Sequence, residues 1–144
     1  MANVFDVAKY ILEKTGRQST WKLQKLCYYS QAWTLAWDGE PLFDEDFEAW
    51  ANGPVCPDLF RQHKGKYSIN AYELGKGSSQ NLDEREAENI DIVIRDYGNM
   101  SPYELRELSH SEPPWANARG GAPDGFPSNE IITKGAMAEY YGGL

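Results

Sequence analysis

Between Ser19 and Gly39 the side chains Leu23, Leu26, Cys27, Ser30, Trp33, Thr34 and Trp37 recur at helical spacing. Ser19 or Thr20 supplies an N-cap and Gly39 a stop, so the stretch predicts a long helix around which the remaining chain must be arranged. Trp33 and Trp37 fall on the apolar stripe and are expected in the core. Lys22, Gln24, Lys25 and Gln31 lie mainly off that stripe, and Tyr28 and Tyr29 flank it. The expectation is a helix packed on one side, with polar and aromatic groups outward.

Other helices announce themselves by their ends. Asn3 caps a short amphipathic helix carrying Val4, Ala8, Ile11 and Leu12, closed by Gly16. Pro57 suits the first turn of a helix with Leu59 and Phe60 that ends by Gly65. Asn81 or Asp83 opens a helix with Ala87, Ile90, Val93, Ile94 and Tyr97 facing the core, and Gly98 closes it. Ser101-Pro102-Tyr103-Glu104 is a capping box with proline in the first turn, and Leu105 and Leu108 follow it. Pro113 and Pro114 end that helix near Ser111, with one further turn over Trp115 to Arg119, and Thr133 caps a last helix from Lys134 to Tyr141.

Strand signals are few. Leu42-Phe43 and Phe47 to Trp50 read as a small hairpin whose tip is Asp44-Glu45-Asp46, and Asn52-Gly53-Pro54 forces a turn after it. Lys66 to Gln80 and Gly120 to Pro127 read as loops. The fold class expected is mostly α (α+β): a single compact helical domain over residues 1–144, of about six helices with a small β-hairpin insert.

Acidic residues outnumber basic ones by 22 to 14, a net charge of −8, which argues against nucleic acid or an acidic membrane as partner. No apolar run reaches bilayer length and the start Met1 to Asp6 lacks the pattern of a secretory signal, so a cytoplasmic protein is expected. Cys27 and Cys56 are not spaced for metal or redox chemistry, and no disulfide is expected. His63 and His110 stand too far apart in the sequence for a metal site, and Gly75 to Ser79 lacks the spacing of a phosphate loop. No catalytic constellation emerges, and no metal or cofactor is expected. A hydrolase built on Cys56 and His110 is the rival reading, with His110 otherwise expected to cap its helix in a charged form.

The run Lys22-Leu23-Gln24-Lys25-Leu26-Cys27-Tyr28-Tyr29-Ser30-Gln31-Ala32-Trp33 resembles the KLQKLxYYxQAW helix of the Panacea domain, the SocA-like antitoxin family, also called GepA-like in phage and mobile elements. Further likeness follows in order. It runs through Val7 to Leu12, Pro41-Leu42-Phe43, Glu48-Ala49-Trp50, Gly53-Pro54-Val55, Leu108-Ser109-His110, Pro114-Trp115 and Ile131-Ile132-Thr133. The resemblance implies an antitoxin that neutralises a cognate protein toxin by direct binding, in a complex that can be of higher order. Some relatives resemble adaptors that deliver the toxin to a protease, and an enzyme reversing toxin damage is the further alternative. The family carries no agreed catalytic residues.

Lys22, Lys25, Tyr28 and Tyr29 from the helix, with Trp50 and Trp115 beside turns, are the candidate partner contacts. Leu23, Gln24, Leu26, Trp33, Gly53, Pro54 and His110 are assigned to the fold. Specificity is expected from the loops Asp44 to Asp46 and Lys66 to Gln80, and a basic toxin would be favoured by the acidic excess.

Overall fold

A computed structural model describes all 144 residues. In chain order the elements are α1 (Val4–Thr15), β1 (Gln18–Ser19), α2 (Thr20–Asp38), β2 (Phe47–Trp50), β3 (Gly53–Val55), α3 (Pro57–His63), β4 (Ser68–Ile69), α4 (Ala71–Leu74), a 3₁₀ turn (Ser79–Asn81), α5 (Glu84–Tyr97), α6 (Pro102–His110), α7 (Pro113–Ala118), β5 (Ile131–Ile132) and α8 (Lys134–Gly142). The mostly helical class with small antiparallel strands is as the sequence predicts. One core of 27 buried residues extends from Val4 to Tyr141, with α2 at its centre.

Helix starts follow their caps. The Ser101 hydroxyl accepts from the Glu104 N–H at 3.0 Å while the Glu104 carboxylate accepts from the Ser101 N–H at 2.8 Å, and Asn3 with Asp6 repeats the device on α1. Asp6 also accepts from the Ser78 N–H at 2.8 Å, which pins the distant loop onto α1. Gly77 lies so close there that a Cβ would come within 2.4 Å of the Phe5 backbone.

Four features depart from the sequence reading. First, α2 is surrounded: Leu23 to Ala32 are buried without interruption, so Gln24, Lys25, Tyr28, Tyr29 and Gln31 face inward. The physical reason is that buried polar groups are tolerated where they bond to backbone or to each other, and one-sided periodicity does not register this. Second, Trp37 is 41% exposed and Trp33 half-buried, because the end of α2 runs out past the core; the two rings stack at 5.4 Å and Trp33 donates to the Tyr97 hydroxyl at 2.8 Å.

Third, the hairpin turns at Ala51-Asn52, not at Asp44 to Asp46. Phe47 to Trp50 pairs with Gly53 to Val55, and β5 adds to the other edge in the order β3-β2-β5. Pro54 opposes Ala49, whose N–H turns the other way to the Glu130 carbonyl at 2.8 Å, so the missing proline donor leaves no gap in the ladder. Leu42 and Phe43 form no strand because the Gln31 side chain takes their backbone groups instead. Its Oε1 accepts from the Leu42 N–H at 2.7 Å, and its Nε2 donates to the Phe43 carbonyl at 2.7 Å. Fourth, the segment Lys66 to Gln80 is not all loop. It contains β4, paired with β1, and α4, started by a capping box between Asn70 and Glu73; α4 and α7 bring the helices to eight.

Gln24 repeats the clasp of Gln31 one heptad earlier. Its Oε1 accepts from the Cys56 N–H at 2.8 Å, and its Nε2 donates to the Cys56 carbonyl at 3.2 Å and to His63 Nε2 at 3.0 Å. Replacing Gln24 or Gln31 by Leu keeps the bulk and strands these backbone groups in the core. Each change is expected to cost about 2–4 kcal/mol in urea unfolding with little change in m-value. A loss under about 0.5 kcal/mol would mean the clasps carry no weight.

Candidate functional site

Nearly every polar side chain on the central helix is committed to the interior of the protein itself. Lys22 Nζ donates to the Gly98 carbonyl at 2.6 Å, Ser30 to the Leu26 carbonyl at 2.8 Å, and the two glutamines hold backbone as described. The Tyr29 and Tyr141 hydroxyls both donate to Glu112 Oε1, at 2.7 and 2.8 Å, and Tyr141 lies 3.3 Å from the Tyr28 hydroxyl. Burial pushes the Glu112 carboxyl above its usual range against the lowering effect of those two donors, and burial pushes all three tyrosines up as well.

Lys25 is the exception. It is 1% exposed, and its ammonium has no hydrogen-bond partner. Burial, helped by the like charge of Arg106, lowers its pKa to about 7. The amine sits 5.5 Å from the Trp21 ring centre, and a Cβ on Gly53 would lie 3.2 Å from Lys25 Nζ, 2.5 Å from Lys25 Cε and 3.1 Å from the Ser109 hydroxyl. Glycine is required at position 53 both by that approach and by its φ of +114°. The sequence assigns Gly53 to the fold, and the reason is that the hairpin lies directly on the lysine.

Three aromatic rings gather around this point. Trp21 and Phe60 are 6.3 Å apart and Phe60 and Trp50 4.9 Å apart; all three are half-buried, so each shows an edge to solvent. Trp50 donates from its indole to Glu48 at 2.8 Å. Arg106 stands on the other side of the turn, with Nε 3.5 Å from the Asn52 side chain. The arrangement is a run of three half-buried aromatic rings, of which Trp21 lies over a buried amine that has no hydrogen-bond partner.

The candidate contacts divide accordingly. Trp50 and Lys22 are half-buried and reach the surface. Lys25, Tyr28, Tyr29 and Trp115 do not, and the expectation that they present themselves outward is corrected by burial. Trp115 is wedged under the sheet, where it donates to the Trp50 carbonyl at 2.9 Å, stacks on His110 at 3.8 Å and lies beneath the Arg119 guanidinium. Sequence spacing does not mark Trp21 or Phe60 as contacts, although Trp21 stands one turn before Lys25 on the same helical face.

Ser111, not a charged His110, is the C-cap of α6. Burial and the Arg106 charge lower the His110 pKa to about 4, so it is a neutral ring packed on Trp115. Burial raises the Cys56 thiol to about 12 despite backbone N–H groups of Leu59 and Asp58 directed at it, so it is no thiolate at neutral pH. Cys27 and Cys56 are both free and buried, no three His, Cys, Asp or Glu side chains converge as a metal cluster, and no helix is long and apolar enough to cross a membrane.

A lone buried ammonium destabilises the fold, and Lys25→Met removes it while preserving the stem. The variant is expected to unfold about 1–4 kcal/mol later near neutral pH. In wild type the folded lysine titrates at about 7 and the unfolded one at 10.5, so between those values the unfolded chain binds the extra proton and stability rises with pH. The advantage of methionine should therefore shrink from about pH 7 to about pH 9.5 in paired thermal melts. A difference that stays constant over that window would contradict the burial of a charge.

Comparison with known proteins places this geometry. Residues 23–116 match the family model described as antitoxin SocA-like, Panacea domain. The chain is similar to Antitoxin SocA of Caulobacter vibrioides, 34% identical over 125 residues, covering 76% of this chain and 66% of that protein, so it spans just under two thirds of the relative's length. No solved structure matches. The matched region carries the clasping glutamines, Lys25, the hairpin, Phe60 and the α6–α7 corner, and the chain belongs to the SocA-like antitoxin family with a Panacea domain.

Proposed function

We propose that this protein is an antitoxin that neutralises a protein toxin by stoichiometric, non-catalytic binding in the cytoplasm, acting through a single domain formed by residues 1–144. The observation that carries the reading is membership of the SocA-like family over residues 23–116, and its relative is named an antitoxin. The site chemistry supports it. Half-buried Trp21, Trp50 and Phe60 form the kind of aromatic cluster that anchors protein interfaces, whereas Cys56, the nucleophile of the rival hydrolase reading, is a buried thiol with its pKa at about 12. Trp50 and Lys22 are contacts of this interface, joined by Trp21 and Phe60.

The net charge of −8 favours a toxin with a basic surface and disfavours nucleic acid. The acidic charges spread over the chain then speed encounter with it over a range set by salt, without deciding the fit.

Co-expression with the protein encoded beside its gene, followed by co-purification, tests the proposal. A stable complex of fixed stoichiometry is expected, with growth restored only when the complex forms. Rescue at sub-stoichiometric amounts with no complex would favour catalysis, and rescue that depends on a protease would favour delivery of the toxin for degradation. Association of the pair should also slow as ionic strength rises, by about tenfold or more between low and physiological salt. A flat profile in stopped-flow measurements would remove the acidic surface from the account.

A further inference from the structure

We propose that Lys25 is the receptor for a carboxylate of the toxin: one Asp or Glu side chain enters beneath the Trp21, Trp50 and Phe60 rim and pairs with the Lys25 ammonium beside Gly53 and Ser109. The inference rests on the direct-binding reading of the preceding section.

The other buried cation, Arg119, is bonded at its outer nitrogens, with only Nε left without a partner. Arg119, also buried, donates from its Nη atoms to the carbonyls of Ala49, Pro123 and Phe126 at 2.9, 3.0 and 2.6 Å and lies over the Trp115 ring. Lys25 has none of this. The one charge acting on it is the like charge of Arg106, which is itself paired with Glu107. The Ser109 hydroxyl donates to the Arg106 carbonyl, which leaves its oxygen facing the amine without neutralising it. His63 Nε2 is taken by Gln24.

The group that would hold Lys25 in its charged form is an anion, and a compact one. A single ammonium under an aromatic edge matches a carboxylate on a short stem. A polyanion is opposed by the net charge of −8 over the rest of the chain, so the acid belongs to a protein. Lys25 lies against the half-buried Trp21 ring and directly under Gly53 of the hairpin, so a carboxylate reaches it only when that ring or the hairpin moves aside. Lys25 is retained at a cost in stability because the partner supplies the counter-charge.

The test uses the full chain and the toxin it neutralises. Lys25→Met should remain folded by circular dichroism and lose affinity by about 30-fold or more in calorimetry. Asp→Asn and Glu→Gln changes across the toxin should reveal one acid whose loss weakens wild type equally but leaves Lys25→Met unaffected, the mark of a coupled pair. As a measurement independent of any variant, the Lys25 Cε resonance should titrate higher in the complex than in the free protein. Arg106 and His110 from α6 and His63 from α3 face this amine, β3 brings no titratable side chain, and none of these supplies a negative charge to produce the rise. If Lys25→Met binds within about threefold of wild type, if no toxin acid couples to it, or if the resonance does not move up, the proposal is wrong while direct binding stands. If the wild-type pair forms no complex, direct binding fails and this inference fails with it.

Discussion

Gln24 and Gln31 stand two turns apart on one face of the central helix, and their amides clasp the chain that follows at Cys56 and at Leu42-Phe43. Each amide mimics a strand edge, offering one acceptor and one donor to backbone that would otherwise be buried without partners. The clasps bracket the hairpin in sequence and lay it against the helix. That placement brings Gly53 onto Lys25 and sets Trp50 beside Phe60. The site is thus a consequence of how two glutamines are satisfied, more than of apolar packing alone.

The opposite flank of the helix works through a second polar cluster. Glu112 gathers the hydroxyls of Tyr29 and Tyr141, with Tyr28 alongside, and it is also the N-cap residue of α7. Tyr97 stacks on Tyr29 at 4.2 Å and receives the Trp33 indole, so α5 joins the same assembly. α7 in turn carries Trp115 beneath the sheet. A buried carboxylate held by neutral hydroxyls is costly to ionise, yet it fixes the positions of α2, α7 and α8 relative to one another.

The parts of this fold legible from sequence were those decided by local chemistry. Asn3, Asp83, Ser101 and Thr133 each act as the N-cap expected, and Pro102 sits in the first turn. Where partners are distant, local reading misled. The polar positions of α2 look solvated if burial is inferred from hydropathy, but their bonds reach residues tens of positions away, and nothing in a short window reports that. The hairpin shift has a simpler cause: Asn52-Gly53 is itself a strong turn signal and forms the tip of the hairpin, not its end. Asn70 to Glu73 is a capping box masked by the polar, Gly- and Ser-rich stretch around it, while β5 is two residues long and pairs only along the edge of β2. Of the site, Trp50 reads as an edge aromatic and does reach the surface, whereas Lys25 reads as outward-facing and is buried. Trp21 and Phe60 were not legible, since Phe60 meets the tryptophans only through the clasp on Cys56.

Charge acts here on two length scales. The excess of acid is spread over exposed positions such as Asp83, Glu84, Glu88 and Asp91 on α5, where water and salt limit each contribution. A partner approaching in solution meets that field first. The ammonium of Lys25 is screened by neither, and its neighbours Arg106, His63 and His110 are cationic or neutral. On the proposed reading, a toxin with a basic surface and one well-placed acid would satisfy both demands, whereas a uniformly basic protein would be drawn in and leave the buried amine unanswered. Such a division gives attraction to many basic proteins and retention to few, because an unanswered charge in the interior is penalised far more heavily than an unanswered one at the rim.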